Sequence, residues 1–305
     1  MPLHSIASVT LGVPRLDASA AFYAAFGLIS ADGRSFATRD GGEQLRLVEA
    51  GHRGLQRLTV GVDHPDDLAA AAARLTAGGH PVTIGAGTVA TVEPVTQLPI
   101  ELRVTPRIRP TKLELPMANS PGAIVRTDEP APAVMASWPV HPSRLSHLVF
   151  GTPDQPATLA FFTDVLGFLI SDQIPGIIAF TRCSDSHHDV AIQLAPCPLL
   201  HHVAFEVDSV DDVARGGTAL IDADPARQLW GLGRHAIGSN WFWYLKEPSG
   251  TFVEYTADLD RITAQDLYVP KAWSGHEYLY AFGSPPPREF MEPADIGELL
   301  AAQAG

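Results

Sequence analysis

The sequence predicts an α+β protein built from two tandem copies of one strand-helix-strand module, with the chemistry confined to the second copy. Three observations carry this: an internal repeat, a switch between strand and helix periodicity inside each copy, and an uneven distribution of histidines. SVTLGVPRLDASAAFYAAFGLI, from Ser8, lies over HLVFGTPDQPATLAFFTDVLGFLI, from His147, matching Gly-x-Pro (Gly12/Pro14, Gly151/Pro153), an aromatic pair (Phe22-Tyr23, Phe161-Phe162) and a glycine beyond the helix (Gly27, Gly167). A second block, RLTVGVDHPDDLAAAAARLTAGG from Arg57, lies over HVAFEVDSVDDVARGGTALIDA from His202. Two matched blocks in the same order point to a duplicated unit. Of the 12 histidines, eight (His141, His147, His187, His188, His201, His202, His235 and His276) lie from residue 141 onward.

Within each copy the order is strand, helix, several strands, then a second strand and helix. From Pro156 to Phe168 the apolar residues Leu159, Phe162 and Val165/Leu166 recur at helical spacing, and Gly167 stands where a C-cap belongs. HHVAFEVD, from His201, alternates: Val203, Phe205 and Val207 take one face of a strand, His202, Ala204 and Glu206 the other. WFWYLKEPSGTFVEYT reads as two strands around the turn Glu247-Pro248-Ser249-Gly250. Residues 105–142 hold eight prolines and little periodicity, which suggests an extended linker or arm. The expected divisions are 1–108, a linker or arm over 109–142, a catalytic copy over 143–260, and a tail over 261–305 folding over a pocket, with Trp273, His276, Tyr278 and Tyr280 as its aromatic residues.

Composition narrows the function. A length of 305 residues with 46% hydrophobic and 18% charged residues suits a globular chain, and no apolar run approaches the roughly 20 residues of a membrane-spanning helix. The net charge of -13 and the absence of a Lys/Arg cluster argue against nucleic acid. Two cysteines, Cys183 and Cys197, give no disulfide framework and read as small buried residues or loop thiols. With no leader-like start, the expected home is the cytoplasm.

His147 opens one strand, His202 opens the equivalent strand of the next half-module, and Glu254 lies in the last, with Phe252 and Thr256 on its face. Two imidazoles and a carboxylate on adjacent strands can meet at one side of a metal ion and leave the other side open, the arrangement of non-haem iron(II) oxygenases. No Cys-x-x-Cys or His-Glu-x-x-His offers a rival zinc site. In the first copy the corresponding residues are Ser8, Arg57 and a position near Glu101, one acid without imidazoles, so that copy is expected to be scaffold.

SRLSHLVF, HHDVAIQL, LLHHVAFEV, GLGRHAIGSNWFWYL and EPSGTFVEYTADL, in this order, resemble the type I extradiol ring-cleavage dioxygenases of the vicinal oxygen chelate superfamily. The likeness is close over 143–260 and extends to the first copy at the level of fold. It implies paired βαβββ modules and a site for iron(II), occasionally manganese(II), held by His147, His202 and Glu254. It also implies a catechol-type substrate with O2 as co-substrate, and a homo-oligomer. His188 of HHDVA resembles the family's acid/base histidine, and His235 and Tyr244 its substrate-contacting groups. A histidine near its ordinary pKa of about 6.5 suits taking and returning a proton at neutral pH. His187 and His201, beside candidates, are expected at the surface or just behind the ligands.

Two departures from the family bear on the substrate. Trp230 stands where the homoprotocatechuate-cleaving branch has an arginine before Gly231-Leu232-Gly233-Arg234-His235, and Val149 stands where that branch has a polar residue. Both are expected to border substrate, and an uncharged or bulky catechol follows. The rival readings are a zinc or nickel isomerase or lyase of the glyoxalase kind, which needs ligands from two modules, and a non-catalytic small-molecule binding protein, for which an acid/base histidine is superfluous.

Overall fold

Each half of the chain forms one sheet, and each sheet is assembled twice from the same unit. The computed structural model describes residues 2–111, 118–136, 139–274 and 279–304. The first sheet contains β1 (Leu3–Val13), β2 (Ser35–Thr38), β3 (Gly42–Glu49), β4 (Gly54–Val62), β5 (Thr83–Gly85), β6 (Thr88–Val92) and β7 (Pro99–Val104), in the order β2-β3-β1-β4-β7-β6-β5. The second contains β8 (Arg144–Thr152), β9 (Leu169–Ile174), β10 (Ile178–Arg182), β11 (Val190–Leu194), β12 (Leu199–Glu206), β13 (Gln228–Arg234), β14 (Trp241–Lys246), β15 (Phe252–Ala257) and β16 (Lys271–Ala272), in the order β13-β14-β15-β12-β8-β11-β10-β9-β16. In each sheet the first strands of the two half-modules pair antiparallel (β1 with β4, β8 with β12), and each pairs in parallel with the last strand of its own half (β3, β7, β11, β15). This is the tandem βαβββ architecture, with the first half-module one strand short (β1, α1, β2, β3).

The helices are α1 (Leu16–Ala25), α2 (Pro65–Ala77), α3 (Pro132–Met135), α4 (Gln155–Ala160), α5 (Val210–Ala223), α6 (Arg288–Met291) and α7 (Ile296–Ala304). None of the described helices is long and apolar enough to cross a membrane. The helix expected over 156–168 begins as α4 and widens into a π-helix over Phe161–Leu166 before Gly167, at φ 90°, ends it. The Thr163 hydroxyl donates to the Leu159 carbonyl at 3.1 Å, competing with the backbone ladder where the helix changes period.

The two copies share core. Tyr255 follows Glu254 and points to the opposite side of β15, where its ring stacks on Phe26 of the first copy at 3.8 Å and its hydroxyl donates to the Phe26 carbonyl at 2.7 Å. Helix α5 reaches the same face through Gly216, where a Cβ would come within 2.7 Å of the Tyr255 ring. The tail is docked as well: Arg53 is buried, forms a two-pronged pair with Asp295 at 2.5 and 2.8 Å, and donates to the Leu200 carbonyl.

Candidate active site

Strand register assembles the site. On β8, β12 and β15, His147 pairs with Ala204 and Ala204 with Glu254, so histidine and carboxylate flank one small methyl in a single cross-strand row. His202, two residues before Ala204 and on the same face, stands opposite Val149. His147 Nε2 lies 3.2 Å and His202 Nε2 3.5 Å from Glu254 Oε2, and the three ligand-type atoms fall within 4.8 Å of one another. Both histidines are the fourth residue of their strands, not the first as expected, because the β8-β12 ladder runs from the Leu199–Gly151 pair to Arg144 and Glu206, whose side chains pair at 2.5 Å.

The hydrogen bonds around these rings fix which nitrogen carries the proton. The Phe290 carbonyl, 2.7 Å from His201 Nε2, can only accept, so that nitrogen is N–H and His201 Nδ1 carries the lone pair. His202 Nδ1, 2.8 Å from His201 Nδ1, must therefore donate, which leaves the lone pair of His202 on Nε2, facing Glu254. Burial pushes the His201 pKa down to about 4 and that of His202 well below its ordinary value, so both rings are neutral near pH 7. Asn240 donates from Nδ2 to Glu254 Oε1 at 3.1 Å and to Thr256 Oγ1 at 2.8 Å, leaving Glu254 Oε2 free. His202 Nε2 and Glu254 Oε2 are buried polar atoms without a hydrogen-bond partner, a costly state for an acceptor pair. The His202 lone pair, the His147 Nε2 nitrogen and a carboxylate oxygen gathered at one point fit a divalent cation.

Beside this triad is a cavity of about 200 Å³. His188, His201, His235, Tyr244, Asn240 and Gln193 supply its polar wall, while Val149, Ile178, Phe180, Ile237, Leu279 and Phe290 supply apolar surface. Ile177, Leu194 and Met291, each about half exposed, also line it. No lysine or arginine occurs among its described lining residues. The His188 ring centre is 4.3 Å from that of His147 and 5.1 Å from that of Phe180. Burial and then the neighbouring histidines hold the His188 pKa well below the ordinary value, not near it as the sequence led us to expect. His235 Nδ1 bonds the Leu279 carbonyl and its Nε2 lies 2.9 Å from the Tyr244 hydroxyl. By the same acceptor argument His235 Nδ1 is the donor and Tyr244 O–H points at Nε2. Burial, then the Glu254 charge, raises the Tyr244 pKa well above its usual value, so the phenol stays protonated.

Several expectations need correction. Trp230 does not line the cavity: its indole stacks on Tyr244 at 5.7 Å, meets Phe290 at 4.7 Å and donates to the Ser284 carbonyl at 2.8 Å, forming the apolar support behind Tyr244. Of the two placements expected for His187 and His201, at the surface or just behind the ligands, the structure has neither at the surface; each is buried and hydrogen-bonded to the histidine that follows it. For His201 the cause is a β-bulge. Leu200 pairs with Phe150 and His202 with Val149, so His201 is an extra residue, and both neighbouring imidazoles turn toward the site. Leu279, Phe290 and Met291 are the tail residues that reach the cavity, Trp273 bonds Asp172, and His276 and Tyr278 lie outside the described residues. Sequence reasoning missed Asn240, Phe180 and Ile178. Asn240 sits within GRHAIGSN, where a short polar residue just before an aromatic strand is the one available signal.

The first copy repeats the geometry without the chemistry. Ser8 pairs with Thr59 and Thr59 with Glu101, while Arg57 stands opposite Thr10, so Ser8, Arg57 and Glu101 occupy the positions of His147, His202 and Glu254. There Arg57 and Arg103 pair with Glu101 at 3.2 and 2.5 Å, filling with guanidinium groups the place where the second copy gathers lone pairs.

Comparisons with known proteins agree with this asymmetry. The family described as Glyoxalase/Bleomycin resistance protein/Dioxygenase superfamily matches residues 144–255, the span that carries the triad. Biphenyl-2,3-diol 1,2-dioxygenase of Metapseudomonas furukawaii is 41% identical over 122 residues, 36% of this chain and 39% of that protein. Among solved structures, a Mn(II)-bound glyoxalase from Novosphingobium aromaticivorans superposes with a TM-score of 0.75 at 26% identity, covering 94% of this chain and 93% of the other. Metapyrocatechase 2 of Cupriavidus necator is 31% identical over 95% of this chain and 92% of its own length. A likeness that runs through both copies, with the ligand-type residues gathered in the second, shows that the chain belongs to the extradiol ring-cleavage dioxygenases of the glyoxalase/bleomycin resistance protein/dioxygenase superfamily.

Proposed function

We propose that this chain opens the aromatic ring of a catechol by extradiol cleavage, adding both atoms of O2, with iron(II) or manganese(II) held by His147 Nε2, His202 Nε2 and Glu254 Oε2. The observation that carries this reading is the convergence of two imidazole Nε2 atoms and a free carboxylate oxygen at the wall of a cavity that also holds His188, His235 and Tyr244. Relatives named as iron-dependent and manganese-dependent dioxygenases support either metal. A metal bound there supplies chelation of two vicinal oxygens and a route for electron density from ring to dioxygen. His188, neutral because it is buried, accepts a phenolic proton and later returns it. A phenol that donates to the Tyr244 oxygen has its developing charge compensated as Tyr244 shares its own proton with His235 Nε2.

The walls point to a catechol with a neutral or apolar substituent. Val149, Ile178 and Leu279 offer no partner to a carboxylate, and burying one unpaired costs on the order of several kcal/mol. In this reading residues 1–108 are scaffold, 109–142 an arm, 143–260 the catalytic copy and 261–305 a tail closing on the cavity; the protein acts in the cytoplasm as a homo-oligomer. The test is oxygen uptake by protein loaded anaerobically with iron(II), using catechol, 3-methylcatechol, 2,3-dihydroxybiphenyl and 3,4-dihydroxybenzoate. Uptake that rises with apolar bulk and is weakest with the carboxylate supports the reading. Preference for the carboxylate overturns the substrate class, and no uptake with any of the four overturns the activity.

A further inference from the structure

Behind His188 a second buried chain of polar contacts leads away from the metal triad. His188 Nδ1 lies 3.1 Å from His187 Nδ1, and His187 Nε2 lies 3.4 Å from Asp172 Oδ2. All three side chains are buried. Asp172, on β9, also accepts from the Trp273 indole at 2.8 Å, the Lys271 backbone N–H at 2.9 Å and the Tyr268 hydroxyl at 3.3 Å. Burial alone would raise its pKa, but the bonds from His187, Lys271 and Trp273 outweigh it and hold it below the ordinary value, so Asp172 is a carboxylate.

We propose that Asp172 and His187 are positioning residues that set the tautomer of His188 and so make it a base toward the cavity. A carboxylate offers only acceptors, so Nε2 is the His187 nitrogen that faces Asp172 as an N–H, and the tautomer with its proton there keeps the lone pair on Nδ1, toward His188. His188 Nδ1 then has to carry the proton it donates to His187. The nitrogen left for the cavity, Nε2, bears a lone pair and accepts a proton without prior rearrangement. The opposite tautomer would set two lone pairs against each other at 3.1 Å. Because Asp172 also holds Trp273 and Lys271, the segment that supplies β16 to the sheet edge is fastened to the residue that orients the base.

This inference rests on His188 as the proton-transfer group, and a double-mutant cycle separates the two claims. The variants His187→Phe, His188→Phe and the double variant are compared with wild type at equal bound metal, using whichever of the four catechols wild type turns over fastest. Catechol affinity is titrated anaerobically. His187→Phe should lower kcat by ~10- to 100-fold, the usual worth of a partner that orients an active-site imidazole, with metal content and catechol affinity unchanged. The double variant should be no slower than His188→Phe, since a residue acting through His188 has nothing left to orient. Asp172→Asn, which puts an amide in place of the carboxylate, should reproduce the kcat loss and serves if His187→Phe does not fold. Wild-type kcat in both His187→Phe and Asp172→Asn, or losses that multiply in the double variant, would overturn the proposal. Wild-type turnover by His188→Phe would instead remove the base on which it depends.

Discussion

His201 Nδ1 lies 2.8 Å from His202 Nδ1, whose N–H it accepts, and the same His201 ring hands its one N–H, on Nε2, to the carbonyl of Phe290, in the tail. One imidazole therefore connects α6 to the orientation of a candidate metal ligand. Replacing His201 by Phe removes the acceptor for His202 Nδ1 while keeping a ring in the bulge. Metal affinity, measured by competition with a chelator, should fall by ~10- to 100-fold with the fold intact by circular dichroism. Unchanged affinity would mean that His202 is oriented without His201.

The His188 assignment has its own consequence. His188→Phe preserves the ring packing against Phe180 and His147 but removes both nitrogens. Metal content should stay near wild type, and ring cleavage should slow by ~10² to 10⁴, the range for losing a general acid/base group. Wild-type turnover would make His188 a wall residue only.

Much of this site is written in the sequence. The duplicated blocks place His147 and His202 at matching positions, and the hairpin around Glu247 to Gly250 brings Glu254 beside Tyr244 in register. What the sequence hides depends on breaks in alternation. His201 faces the site because of a bulge, and a one-residue irregularity leaves no mark in a run as apolar as Leu199 to Phe205. Trp230 could not be separated from a cavity residue, since its placement follows from Ser284 and Phe290, far along the chain. Asp172 gives no local signal either, because its partners His187 and Trp273 meet it only through the sheet and the tail.

Acid should weaken the sheet through Glu206. Burial would raise its pKa, but Arg144 at 2.5 Å and Arg261 at 2.7 Å hold it below the ordinary 4.5. A lowered folded-state pKa contributes stability that is present above about 4.5 and is lost as pH falls through the folded value. Thermal unfolding of wild type and Glu206→Gln should differ most near pH 7, where the variant leaves Arg144 without its partner, and the curves should converge toward pH 3. A difference independent of pH would assign the effect to packing instead of charge.

Contact between the copies is tested at Phe26, whose ring stacks on Tyr255 behind Glu254. Phe26→Ala should cost about 3–5 kcal/mol in denaturant unfolding, the usual range for emptying a buried aromatic site. A loss below about 1 kcal/mol would mean the first copy is not needed to back the catalytic sheet.

The central claim is that this chain inserts both atoms of O2 into a catechol at the site formed by His147, His202 and Glu254. Mass spectrometry of the product formed under ¹⁸O2 tests it most directly, with protein loaded anaerobically with iron(II) and the fastest of the four catechols as substrate. The account predicts a ring-opened product carrying two ¹⁸O atoms from wild type, and none from His202→Ala, which should remain folded but lose its metal. A product carrying one labelled atom or none from wild type, or full labelling by His202→Ala, would contradict it.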